Sequence, residues 1–168
     1  GQSEWMGKII KKDPKKLNEI LLAVENFHLL SVGALIVFER NVGLKNYIES
    51  GQSINGEISA RLLMTIFYDK TALHDGAVII KNDQIAAAAC YLPVRDNNAI
   101  DPKYGTRHRL TEETDAIAVV VSEETGKISM AIDGKLYSNY DKESLRKELN
   151  KYLGYEPEEE EVLPDENE

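Results

Sequence analysis

The chain is expected to fold as a single α/β domain of mixed α+β character, with a central mixed β-sheet flanked by helices. Short β-rich apolar runs at residues 33–39, 77–80, 85–92 and 116–121 have the length of buried strands rather than helices. Apolar residues at helical spacing stand before, between and after these runs, which argues for layered helices and strands over an all-β design. A length of 168 residues is enough for one proper core, and no internal repeat calls for a second.

Taken in order, Asp13-Pro14 opens a helix, an N-cap acid with proline at the first helical position. Leu17, Ile20, Leu21, Val24 and Phe27 then share one face. His28 lies close to that stripe and reads as a packed or capping residue rather than a ligand. Residues 33–39 form a buried strand, and residues 43–50 a short helix that Gly51 can end. Residues 59–68 set Leu62, Leu63, Ile66 and Phe67 on one helical face. Residues 77–80 and 85–92 flank Asn82-Asp83 as a hairpin. Residues 116–121 pair with 127–132 across Thr125-Gly126, and Asp133-Gly134 turns the chain into Lys135-Leu136-Tyr137. Asp141 caps a last amphipathic helix through Leu145, Leu149, Tyr152 and Leu153, stopped by Gly154. Residues 97–109 form the longest polar connection, the kind of loop that often carries function.

Composition narrows the function classes. No apolar run approaches the roughly 18–20 residues of a membrane-spanning helix, and no secretory leader is visible. Gly1 in place of an initiator methionine reads as trimming, so residues 1–12 are taken as a linker remnant and 13–155 as the folded domain. Residues 156–168 read as a disordered, solvated acidic tail. Their eight acids hold all but one unit of the net charge of −9, so the rest of the chain is nearly neutral and can host a cationic pocket. No broad basic stripe accompanies the one basic cluster, which disfavours nucleic acid as a partner. A lone cysteine, Cys90, excludes an internal disulfide, suits a reducing compartment, and reads as inert within its apolar run.

Two motifs carry chemistry. His74-Asp75-Gly76-Ala77 enters a strand with a carboxylate that can bind Mg²⁺ or Mn²⁺ or orient a sugar hydroxyl; an Asx turn closing the loop is the plain alternative. His74 is a candidate second ligand, since imidazole suits Mn²⁺ better than Mg²⁺. Gly105-Thr106-Arg107-His108-Arg109 gathers phosphate donors just after a glycine, with arginine forks that lysine cannot copy. A solvated basic turn or a nucleic-acid contact would explain the same residues. Tyr91 ends a strand beside Pro93, where it can stack on a base or simply pack. The turn of residues 122–126 could point a glutamate toward the same pocket.

These segments, LHDGAVI, AAAACYLP, GTRHR and TDAIAVVVSEETGKIS, in that order and spacing, resemble the diadenylate cyclase (DAC) domain family, most of all its membrane-anchored bacterial branch. The likeness runs from about residue 33 to 137. It implies the DAC-domain fold and a nucleotidyl transfer that condenses two ATP molecules into cyclic di-AMP with loss of two pyrophosphates. Two protomers would meet face to face, each holding one ATP. By that resemblance Asp75, Arg107, His108 and Arg109 are the catalytic residues. Gly76, Ala77, Tyr91, Leu92, Gly105, Thr106, the Arg107–His108–Arg109 cluster and Ser122 would bind ATP. Asp75, His74 and Glu124 would hold the metal, Mn²⁺ or Mg²⁺ with Co²⁺ as an alternative. The resemblance also implies a natural membrane anchor on the inner face of the bacterial membrane, absent from this segment, and leaves room for regulatory protein partners. One departure stands out. The family runs from RHR into a small-residue stretch of the form Ala-Ala-x-Gly, whereas here Arg109 joins Leu110 directly. About four residues, close to one helical turn, are missing. The rival expectation is therefore an impaired module that binds ATP or cyclic di-AMP without turning it over.

Overall fold

The computed structural model describes residues 12–92 and 110–155. Helix α1 (Pro14–Leu30) begins where the Asp13 carboxylate accepts the Lys15 N–H, and ends at Ser31 in the left-handed conformation. Then follow β1 (Ala34–Phe38), α2 (Lys45–Glu49), β2 (Gln52–Glu57), α3 (Ala60–Phe67), β3 (Ala77–Lys81) and β4 (Gln84–Cys90). After a single helical turn at residues 110–113 come β5 (Ile117–Val121), β6 (Ile128–Ile132), β7 (Lys135–Tyr140) and α4 (Lys142–Leu153). Asp141 and Ser144 close a full capping box on α4, and Gly154 ends it at φ 75°.

The seven strands form one mixed sheet in the order β2-β4-β3-β1-β5-β6-β7. Only β1 and β3 run parallel; every other neighbouring pair is antiparallel. Alternation along the strands sorts side chains onto two unlike faces. Ile36, Phe38, Val78, Ile117, Val119 and Met130 face the large core that buries α1, α3 and α4, where Phe27 meets Phe67 edge-on at 5.6 Å. The other face is floored by Val37, Ile79 and five alanines (Ala77, Ala87, Ala116, Ala118, Ala131), with Leu44, Leu92 and Leu110 packed on it. Small side chains let covering chain lie close to the sheet. Leu92 and Leu110, the described residues on either side of 93–109, both pack on the alanine face.

The structure adds two features that the sequence did not suggest. Strand β2 has no counterpart in the sequence reading, because its residues QSINGE are mostly exposed at a sheet edge and carry no apolar alternation. Gly51 does more than end a helix: a side chain there would collide with the Ala88 carbonyl and the Cys90 sulfur, so its bareness lets α2 lean on β4. The linker residues 1–11, the loop 97–109 with its GTRHR cluster, and the tail 156–168 lie outside the described residues.

The far pole of the sheet is fastened by one residue whose importance the sequence did not announce. Asp83 sits in the β3–β4 turn and is 4 % exposed. Its carboxylate accepts the Asp13 N–H at 3.1 Å and the Tyr155 hydroxyl at 2.8 Å. Lys16 Nζ donates to its carbonyl at 3.0 Å. The start of α1 and the residue just past α4 are thus tied to one hairpin. Burial, and then the bond to Asp83, hold the Tyr155 phenol far above its ordinary pKa range.

Candidate nucleotide site

Strand direction decides where the chemistry-bearing residues meet. The starts of β1, β3 and β6 and the ends of β4 and β5 lie at the same end of the sheet, because Ala34 pairs with Val121, Ala77 with Cys90 and Val121 with Ile128. Three segments singled out in the sequence therefore share one rim: His74-Asp75-Gly76 before β3, Tyr91-Leu92 after β4, and residues 122–126 after β5. Tyr91 is one strand from Gly76. Residues 122–126 are two strands away, across the start of β1, or about 10 Å.

Asp75 is exposed and makes no hydrogen bond or ion pair among the described residues. Beside it, His74 Nδ1 lies 2.8 Å from the Thr71 carbonyl. A carbonyl only accepts, so Nδ1 carries the proton and Nε2 keeps its lone pair free for a ligand. A carboxylate next to an imidazole oriented in this way suits a divalent cation of the Mn²⁺ type. The expected trio of His74, Asp75 and Glu124 is not assembled, however. Among the described residues no three His, Cys, Asp or Glu side chains gather closely enough to hold a metal. Glu124 belongs to the turn two strands away.

Gly76 also has a role other than the expected one. Its φ is +113°, and an added Cβ would lie 2.9 Å from both the Ala89 carbonyl carbon and the Cys90 oxygen. Strand β4 bulges toward it at Ala89, itself at φ 51°. The missing side chain is thus required by the neighbouring strand, whatever approaches from solvent. Ala77 and Leu92 bury their side chains in the alanine-face cluster, which leaves ligand contact to their backbone and their neighbours.

Tyr91 is 65 % exposed, and its backbone is clamped. Ser50 Oγ accepts the Tyr91 N–H at 2.8 Å and lies 2.6 Å from the Tyr47 carbonyl, to which it donates. Ser50 fixes the first residue of the connection that leads to Arg107; sequence reasoning missed it because a serine ending a short helix has no distinguishing pattern. Ser122 Oγ accepts the N–H groups of Glu124 at 3.2 Å and Thr125 at 3.3 Å, so it shapes its own turn. His28 Nδ1 lies 2.6 Å from the Gly126 carbonyl and stitches that turn to α1, a long-range tie rather than the packed or capping role expected of it. Cys90 is buried, and burial pushes its thiol up to about 11, in keeping with an inert role.

The described part of the rim carries Asp75, Glu123 and Glu124. Lys127 stands just before β6 at the same end, and the expected phosphate cluster of residues 105–109 lies outside the described residues. Leu110 and the helical turn that follow them are seated firmly: Leu110 is buried on the alanine face, and Thr111 Oγ1 accepts the Gly134 N–H at 3.1 Å.

A family model described as DisA bacterial checkpoint controller nucleotide-binding, the DAC domain, matches residues 21–136. The chain belongs to the DAC family. It is 43% identical over 139 residues to cyclic di-AMP synthase CdaA of Bacillus subtilis, covering 80% of this chain and 51% of that protein. It is 48% identical over 126 residues to a diadenylate cyclase of Listeria monocytogenes, covering 73% of this chain and 46% of that protein. The DAC chain thus spans about half the length of the curated relatives it matches. A crystal structure of a double mutant of DacA from Staphylococcus aureus superposes with a TM-score of 0.78 at 39% identity, covering 83% of this chain and 95% of that one. The mixed sheet with flanking helices is accordingly the DAC-domain fold. Among the described residues, no helix is long and apolar enough to cross a membrane.

Proposed function

We propose that this chain is a diadenylate cyclase domain that joins two ATP molecules into cyclic di-3′,5′-AMP. The observation that carries the reading is the meeting of Asp75, Gly76, Tyr91 and Ser122 at one rim of a DAC-family fold. Each 3′-hydroxyl attacks the α-phosphate of the opposing ATP, a new P–O bond forms, and the bond to the bridging oxygen of pyrophosphate breaks. Asp75 accepts the hydrogen bond of the attacking hydroxyl, Tyr91 and Leu92 border the adenine, and the arginines of the RHR cluster with Thr106 and His108 hold phosphates. Asp75 with His74 would hold a divalent cation, Mn²⁺, Mg²⁺ or Co²⁺, which when bound neutralises phosphate charge. An incomplete protein ligand set fits that role, since such ions commonly take only one or two carboxylates and complete their shell from substrate phosphates and water.

One copy offers one rim, so the cyclisation uses a homodimer with rims facing. Turnover per protomer is expected to rise with protein concentration in the dilute range; a flat response from the lowest concentrations would refute the shared site. In the natural protein the domain is placed at the inner face of the bacterial membrane by a segment outside this chain. The second reading, binding without turnover, draws on the direct junction of Arg109 to the buried Leu110. A shift of about 1 Å in the phosphate cluster would cost roughly 100-fold in rate. Incubation with ATP and Mn²⁺ followed by mass spectrometry separates the two. Cyclic di-AMP establishes the cyclase. ATP binding by calorimetry without product establishes the impaired module, and restoring four small residues after Arg109 should then recover activity.

A further inference from the structure

At the pole opposite the rim, a cleft of about 510 Å³ opens between the ends of β1 and β3, the start of α1 and the end of α4. Lys12, Arg40 and Lys151 line it. Its two acids are already engaged. Glu39 accepts the Leu44 N–H at 2.9 Å and lies 4.0 Å from Lys81 Nζ, while Asp83 serves Asp13, Lys16 and Tyr155. None of the three cations pairs with a carboxylate among the described residues. Arg40 Nη1 donates to the Asp115 carbonyl at 3.3 Å, Lys12 Nζ lies 5.2 Å over the Tyr155 ring, and Lys151 Nζ lies 5.0 Å over the Tyr152 ring. Burial lowers the Lys12 pKa, and Arg40 lowers it further against the opposing pull of Asp83. Cations without a carboxylate partner among the described residues, crowded into a concave site, lower their energy by taking an anion.

We propose that this cleft binds a phosphate-bearing small molecule, with the phosphate held among Lys12, Arg40 and Lys151. A guanidinium fork and two ammonium groups match the oxygens of a phosphomonoester better than a single carboxylate. The volume is that of a small-ligand pocket rather than of an ion alone, and Ile80 and Leu153 give it an apolar wall. It is separate from the ATP rim by the length of β3, about 17 Å. It is not isolated from it, because the Asp115 carboxylate accepts the N–H groups of Asn41 at 2.9 Å and Val42 at 3.0 Å. The loop that would grip the ligand is bolted to the chain emerging from the RHR segment.

The test is an NMR titration of the full 168-residue chain with inorganic phosphate at constant ionic strength. Saturable shifts are expected at the backbone amides of Arg40, Asn41 and Gly154. They should weaken by about tenfold or more in a Lys12→Gln, Lys151→Gln double variant, which removes two charge-assisted contacts. Neither lysine is in the core, and unchanged shifts elsewhere verify the fold. Distal amides that move without saturating, or that move equally in the double variant, overturn the proposal. So do shifts confined to the rim around Asp75. None of these readouts depends on ATP turnover, so the result stands apart from the cyclase assignment.

Discussion

Replacing Gly76 by alanine tests whether this glycine serves the fold or the ligand. At φ +113° an alanine is strained by about 1–3 kcal/mol. Its methyl would also lie 2.9 Å from backbone atoms of Ala89 and Cys90, and such overpacking costs about 1–3 kcal/mol more. The neighbour is main chain and cannot rotate away, and Gly51 presses on the same strand from the other side. A total near 4 kcal/mol is a large share of the roughly 5–15 kcal/mol that holds a domain together. Urea unfolding followed by circular dichroism should show the midpoint falling by about 2 M at a slope of about 2 kcal/mol per M. Relief of the clash would also push β4 outward and move Tyr91, so ATP affinity should drop in whatever fraction remains folded. If stability stays within about 0.5 kcal/mol of the parent while ATP affinity alone collapses, the glycine is bare for the nucleotide and the reasoning from β4 is wrong.

Other expectations follow from the rim and the core. Asp75→Asn should cut cyclic di-AMP formation by about 100-fold or more while ATP affinity by calorimetry changes much less, whereas Arg107→Ala should weaken ATP binding itself. An active Asp75→Asn enzyme would remove Asp75 from the reaction. Ser50→Ala leaves the Tyr91 N–H without its acceptor, so a stability loss of about 1 kcal/mol and a several-fold rise in KM for ATP should appear together. An unchanged KM would show that Tyr91 does not depend on the clamp. The Cys90 thiol titrates near 11 when folded, above the ordinary range, so the unfolded chain gives up that proton first as pH rises. Stability should therefore fall by about 1.4 kcal/mol per pH unit from roughly pH 9 toward 11. Denaturant curves for Cys90→Ala over the same range should lack that part of the slope; identical slopes would contradict the buried thiol.

Local patterns proved readable where apolar spacing and capping agreed. The sequence indicated α1 from Asp13-Pro14, α4 from Asp141 to Gly154, and the hairpin from Asn82-Asp83, because each signal depends on neighbours within a few residues. Strand β2 was hidden because an exposed edge strand needs no apolar face. The sheet order was hidden too: the antiparallel pairing of β1 with β5 joins residues about eighty apart in sequence, and no local propensity encodes it. For the same reason the sequence could name Asp75, Tyr91 and Ser122 singly but could not show that strand direction brings them to one rim. Nor could it separate Glu124 from the metal side. Asp83 looked like an ordinary turn residue, since only the folded chain places three donors around it.

The fastening of Asp13 and Tyr155 to Asp83 has a geometric consequence for any paired assembly. Both ends of the folded body leave from the pole farthest from the rim. If two copies meet rim to rim, their chain ends project from opposite outer poles, on the order of 30 Å apart by strand length alone. Tethers fixed in a common plane could not both hang straight from such a pair. At least one lead would have to travel along the side of the assembly, and an extended chain reaches at most about 3.3–3.6 Å per residue. The length and stiffness of that lead would then set how often two rims can face each other, making tether length a control on encounter as well as an attachment.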